Sequence, residues 1–237
     1  YNVGEIDINN SDVNIIMDGN AELFKEAGFV FVIKADNVSI RGGKILGERF
    51  RRKDIKYGHG IRINNGDNIT IRDMVIRDNT GDGIYIKGLG SENVSNVLIK
   101  GCEIFDNLRN NICVIRGNYI TIEKCHIYHE KDGESPMAAI DLEPDMSPSH
   151  VTADQMINHV IIRKCKLESY NHCHAHLNSQ GLWAYFGLMI IAGFGQPVVK
   201  DVLVEDCEIY GDFSVGSSSN VRWPGTTVHG DIIPGDT

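Results

Sequence analysis

Two stretches decide the fold. Asn96-Val97-Leu98-Ile99-Lys100-Gly101-Cys102-Glu103-Ile104 is followed, 23 residues on, by Tyr119-Ile120-Thr121-Ile122-Glu123-Lys124-Cys125-His126-Ile127. Each opens on a polar residue or Tyr and runs through alternating aliphatics. Each then reaches a cysteine three places past the last of them and closes on another aliphatic. The pattern recurs upstream as Asn37-Val38-Ser39-Ile40 with Gly43 and Ile45, and as Asn68-Ile69-Thr70-Ile71 with Met74 and Ile76. Downstream it returns as His159-Val160-Ile161-Ile162 with Cys165 and Leu167, and as Asp201-Val202-Leu203-Val204 with Cys207 and Ile209. A second strand type lies between, a small residue followed by aliphatic-x-aliphatic. Its copies begin at Gly60, Gly83, Asn111, Ala139 and Gly187. Successive units of the first type are 31, 28, 23, 40 and 42 residues apart. A repeat that keeps its strands while its length varies carries insertions at its corners, as a solenoid does.

Composition points the same way. The 237 residues hold 31 Ile and 18 Val against 11 Leu and 9 Ala, so strand formers outweigh helix formers. Twenty-five Gly and 20 Asn supply tight corners. Hydrophobic residues make up 42%, enough for a packed core and too many for disorder. No apolar run reaches the roughly 18 residues of a spanning helix. The formal net charge of −9 disfavours a nucleic-acid partner, which wants a basic field.

The expected architecture is all-β: a right-handed, single-stranded parallel β-helix of about six to eight coils. Equivalent positions stack about 4.8 Å apart, with every second side chain inward. Cys102, Cys125, Cys165 and Cys207 then form an inward column below Met74 and Gly43, as small buried hydrophobes. Residues 1–210 are expected to form the β-helix, with a seventh coil from 5–17. Residues 211–237 are expected to be a terminal coil, a cap or a linker to a further domain. The chain reads as a processed chain or part of a longer protein.

The succession Asn68-Ile69-Thr70-Ile71, Gly81-Asp82-Gly83-Ile84-Tyr85-Ile86, Asn107-Leu108-Arg109-Asn110-Asn111-Ile112 and Ala139-Ile140-Asp141-Leu142-Glu143-Pro144 resembles the pectate-lyase-like β-helix superfamily. Within it the resemblance is to β-helix domains of bacteriophage tailspikes and polysaccharide depolymerases, over about residues 30–210. It implies an elongated, sugar-binding and often homotrimeric protein at an extracellular or virion-tail surface, with no membrane insertion. It does not fix the chemistry, because this scaffold hosts lyases, hydrolases, epimerases and binding modules. The paired-Asp signature of polygalacturonase-type hydrolases and the Asp-Pro-His motif of alginate epimerases are both missing.

With Ile84, Ile112 and Ile140 as register marks, Arg62, Tyr85, Cys113 and Asp141 fall into one outward column. Lys87, Ile115 and Glu143 follow two places on. Asp141 and Glu143 are the expected acid/base pair, because residues i and i+2 of a strand share a face within glycosidase carboxylate range. Asp82 and Arg109 join them as catalytic-site positioning groups. Tyr85, Arg62, Lys87, His126 and Trp183 are the expected substrate-binding residues. Asp82 also has a plain turn role between two glycines. Hydrolysis of an acidic or capsular bacterial polysaccharide is the leading expectation. Elimination on a uronate polymer and a non-catalytic glycan-binding β-helix are the alternatives.

No cofactor is expected, calcium on Asp141, Glu143 and Asp145 being the one candidate. His172, His174 and His176 offer metal-ligand chemistry without framing ligands, and His126 and His129 stand near a possible groove. Tyr170, Trp183, Tyr185 and Phe186 could stack on sugar rings. Arg49, Arg51, Arg52, Lys53 and Lys56 form a basic corner loop that could meet an acidic polymer or simply be solvated.

Overall fold

The computed structural model describes residues 1–26, 28–49, 57–88, 94–131, 137–144, 156–169, 186–190, 199–216 and 218–234, with the backbone of 176–177 and 183–184. Tyr170, His172, His174, Tyr185, Asp145 and the basic residues 51–53 and 56 lie outside them. The described chain is strand and turn throughout.

Almost every strand pairs in parallel with its counterpart one coil away. Three stacks result. One holds the short strands that include Phe31–Lys34, Ile84–Ile86, Ile112–Val114, Ile140–Leu142 and Phe186–Ile190. A second holds Val38–Arg41, Val94–Lys100, Gly117–Glu123, Ile157–Arg163 and Val199–Glu205. A third, eight strands deep, includes Glu103–Phe105, His126–His129 and Lys166–Ser169. The strand Ile61–Arg72 runs from the first stack into the second without a break. Residues 212–234 continue the stacks with Asp212–Val215, Ser218–Arg222, Thr227–Val228 and Ile232–Pro234. They stack in parallel on the strands of the coil before them. Ile6–Ile8 and Asn14–Ile16 likewise supply the early coil.

The alternation explains the core. Ile84, Ile86, Ile112, Val114, Ile140 and Leu142 are buried in one set of aliphatic columns, and Val97, Ile120 and Val160 are buried in the equivalent column of the second stack. Cys102, Cys125, Cys165 and Cys207 are buried, free, and stacked under Met74. Their thiols point at backbone carbonyls two residues earlier, 3.3–3.4 Å away. The neighbouring Cys125 and burial together hold the Cys102 thiol well above its ordinary pKa.

The polar residue that opens each repeat has a backbone reason. Asn37, Asn68, Asn96, Tyr119, His159, Asp201 and Asn220 all adopt φ between 51° and 62°. Asn and Asp tolerate this left-handed corner better than other residues with a side chain. Where Tyr119 and His159 replace them, their rings stack at 4.6 Å. The residue before each column cysteine turns the next corner the same way, as Gly101, Lys124, Lys164 and Asp206.

Arg49 corrects the reading of a solvated basic loop. It is buried, and its Nη1 donates to the carbonyls of Asp106 and, at 3.2 Å, Asn107. A guanidinium carries five donors, so one side chain can tie two carbonyls of a corner together.

Candidate functional site

The site grows from the first stack. Hydrogen-bonded register places Arg62, Tyr85, Cys113, Asp141 and Met189 in one column across five coils. Lys87, Ile115 and Glu143 follow, each amide bonding back one coil to Ile63, Ile86 and Val114. The register expected from sequence is the register observed. Asp141 stands between Ile140 and Leu142, so its side chain leaves the aliphatic interior on the outer side.

Its exposure differs from expectation. The alternation predicts an open outer wall displaying Asp82 and Asp141, yet their relative exposures are 1% and 0%. Both are sealed within a polar network. Arg62, Tyr85, Lys87, Arg109 and Glu143 keep partial access to solvent. Alternation sets which way a side chain points, but neighbouring coils and corners set whether water reaches it.

The network runs across the coils. His59, Asp82, Asn110 and Ala138 form a second column, fixed by the amides of Gly60, Gly83 and Asn111 bonding to the carbonyls of Asp82, Asn110 and Ala138. His59 Nδ1 lies 2.9 Å from the Asp82 amide nitrogen and 3.1 Å from Asp82 Oδ2. Unprotonated, that nitrogen accepts from the amide; protonated, it donates to the carboxylate. The Asn110 amide donates to Asp82 Oδ1 at 2.9 Å. The Asn110 side chain donates through Nδ2 to Asp141 Oδ2 at 2.9 Å and accepts from the Ala138 amide at 2.9 Å. One asparagine therefore ties both carboxylates. Arg109 Nε stands 4.0 Å from Asp82 Oδ1.

Electrostatics separate the acids. The Asp141 carboxyl is held well above the usual carboxylate range. Burial is the largest cause, followed by the Glu143 and Asp82 charges and a hydrogen bond to Glu143; the Asn110 bond opposes them. Cys113 is buried beside Asp141, and burial with the same acids pushes its thiol well up.

One ligand atom each from Cys113, Asp141 and Glu143 lies within 4.8 Å of the others. Calcium takes roughly six to eight oxygens. Two carboxylates and a soft thiol do not supply that set among the described residues, and Asp145 lies outside them.

The remaining expected residues scatter. His126 lies on the third stack, with Nε2 3.2 Å from Glu168 Oε1 and its ring 4.4 Å from that of Tyr128. The structure does not bring it to Asp141. His129 is buried on the same strand, its Nε2 3.2 Å from the Ala138 carbonyl. Burial pulls its pKa down to about 4. Trp183 belongs to a two-stranded antiparallel pairing with Leu177, and His176 pairs there with Ala184. The side chains of that pairing lie outside the described residues.

Sequence reading missed four groups: Phe29, Tyr57, His59 and Asn110. The usable signal was the residue just before each small strand-opening residue, which places His59, Asp82 and Asn110 in one column. Asn110 stood in a quoted motif without a role.

With parallel coils stacked from end to end, the model of a right-handed β-helix region matches residues 13–231. The chain belongs to the right-handed β-helix family. Among curated proteins it is 28% identical over 170 residues to the uncharacterised protein YclG of Bacillus subtilis (strain 168), covering 59% of this chain and 29% of that protein. It is 28% identical over 151 residues to the SPbeta prophage-derived uncharacterised protein YorA of the same organism, covering 56% and 26%. The chain thus spans under a third of the curated relatives it matches. Among solved structures this β-helix resembles tailspike protein gp49 of Acinetobacter baumannii bacteriophage Fri1, a capsular polysaccharide depolymerase. The TM-score is 0.50 at 17% identity, covering 88% of this chain and 43% of that one. It also resembles the Dettilon tailspike protein gp208, with TM-score 0.58 at 13% identity, covering 94% and 45%. At these identities the likeness is one of fold.

Proposed function

We propose that this β-helix binds and cleaves an acidic or capsular bacterial polysaccharide by carboxylate acid/base hydrolysis, as part of a tailspike-like depolymerase. The observation that carries the reading is the Asp141–Glu143 pair. One carboxyl is buried with its pKa raised well above the usual carboxylate range, and its neighbour reaches solvent, on the outer face of a stacked sheet. Two acids with divided environments are what protonating a leaving oxygen and activating a nucleophile require. Glu143 is the member that meets the glycan. Asp141 stores the shared proton behind it. Asp82 and Arg109 position the pair through Asn110. The reading carries with it a homotrimer at an extracellular or virion-tail surface, which molar mass in solution tests.

The test is product analysis on capsular polysaccharide. Hydrolysis gives new reducing ends without the absorbance of an unsaturated uronate. Glu143→Gln and Asp141→Asn each lower kcat by about 100-fold or more with the fold retained. Unsaturated products would move the reaction to elimination. A second reading, a non-catalytic glycan-binding module, is favoured by the sealing of Asp82 and Asp141. Retained binding with no product of either kind would establish it.

A further inference from the structure

Toward the N-terminal coils the outer face changes character. The rings of Phe29, His59 and Tyr85 lie one against the next, with centroids 5.5 and 4.3 Å apart and planes within 15° and 5° of parallel. The Arg62 guanidinium carbon sits 4.9 Å from the Phe29 centroid and 5.9 Å from that of Tyr85. Arg62 Nε donates to Asn64 Oδ1 at 2.6 Å, which fixes the plane of the group. No acid among the described residues pairs with Arg62. The Arg109 guanidinium carbon lies 5.4 Å from the ring centroid of Tyr57, which is 65% exposed. Arg109 Nε has no hydrogen-bond partner among the described residues and stands 4.0 Å from Asp82 Oδ1.

In a chain of net charge −9 this is an unusual use of two arginines. An acid at hydrogen-bond distance would occupy the guanidinium edge, whereas a ring beneath it stiffens the group and leaves the edge N–H groups outward. A planar fork of donors matches a carboxylate bidentately, and the rings support it by cation–π attraction.

We propose that Arg62, backed by Phe29 and Tyr85, forms a subsite for the carboxylate of an acidic sugar. The proposal rests on the glycan reading above and gives it a specificity element. Arg62 is three coils before Asp141 in the same column, roughly 14 Å at the interstrand spacing. The charged unit recognised is therefore a few sugars from the bond cleaved, on the N-terminal side. An extended glycan lying along the helix axis reaches both.

The experiment uses an array of bacterial capsular polysaccharides, each printed in native and carboxyl-reduced form. The expected result is that bound glycans carry carboxylates and that carboxyl reduction weakens binding by about tenfold or more, the scale of a lost charge-assisted fork. Arg62→Gln produces the same loss at an unchanged melting temperature, and Arg62→Lys recovers only part of it, because a point charge lacks the fork. Equal binding of reduced glycans, indifference to Arg62→Gln, or no binding to any glycan would each overturn the subsite. Carboxylate-dependent binding without cleavage would sink the acid/base reading alone. Cleavage with carboxylate-independent binding would sink the subsite alone.

Discussion

Glu123 shows how a single outward residue on this scaffold joins neighbouring coils. It is nearly buried on the second stack, 2.5 Å from Lys100 Nζ on one side and 2.7 Å from Arg163 Nε on the other. These two hydrogen bonds bring its pKa down to about 2, against a desolvation effect in the other direction. A carboxylate with a depressed folded pKa stabilises the fold above its unfolded pKa, here near 4.5. That contribution fades as pH falls from there toward 2. Glu123→Gln is expected to destabilise the protein at pH 7 by about 1–2 kcal/mol, since the screened, partly exposed cations limit the effect. It should also flatten the loss of stability between pH 4.5 and 2, as acid titration followed by circular dichroism would read. Asp141 has the opposite sign. Its raised pKa means that its protonated form is favoured by folding, so any stability it adds is present at low pH and lost as pH rises through the folded value. Asp141→Asn should therefore be tolerated in stability at neutral and higher pH, even as it removes the proton that the proposed chemistry uses.

At the scale of one coil, close approach is what fixes the corners. Gly60, Gly83, Asn111 and Ala139 open successive strands of the first stack, and each packs on the next. A Cβ on Gly83 would meet the Asn111 carbonyl oxygen at 2.6 Å, Asn107 Nδ2 at 2.7 Å and Ile104 Cγ2 at 2.8 Å. The asparagines it would disturb form a buried chain. Asn79 Nδ2 donates to Asn107 Oδ1 at 2.8 Å, Asn107 Nδ2 to Asn111 Oδ1 at 2.7 Å, and Asn111 Nδ2 to the Tyr128 carbonyl at 2.8 Å. Gly83→Ala is expected to cost about 1–3 kcal/mol by overpacking, measurable by denaturant unfolding. Its effect should extend to the site, because Gly83 follows Asp82 directly. The corner asparagines were visible in the sequence as letters of the repeat. Which of them take the left-handed conformation was not, because φ is decided by the turn between two stacked sheets.

For the whole molecule, stability is close to a sum of coils and the interfaces between them. The terminal strands Ser218–Arg222 and Ile232–Pro234 cover the backbone edges of Val199–Glu205 and Asp212–Val215. Removing residues 212–234 would uncover the edges of Val199–Glu205, Glu208–Tyr210 and Phe186–Ile190 at once, with the buried Val202, Val204, Ile209 and Leu188 at the new end. Exposed parallel edges pair with other chains. The shortened chain is expected to self-associate and to melt at lower temperature, as light scattering and calorimetry would show. Association unchanged from the parent would argue that this coil does no edge protection.

The repeat, its inward and outward faces and the column register of Arg62, Tyr85, Cys113 and Asp141 were determined by sequence alone. Each coil carries its own hydrophobic alternation, and a one-residue slip between coils would turn the apolar side chains outward. The sealing of Asp82 and Asp141, the entry of His59 and Asn110 into their network, and the separation of His126 onto another stack were decided by tertiary structure. The bonds of that network join residues 23, 28 and 31 positions apart across coils and corners. No local pattern encodes which of those meetings will exclude water from a carboxylate.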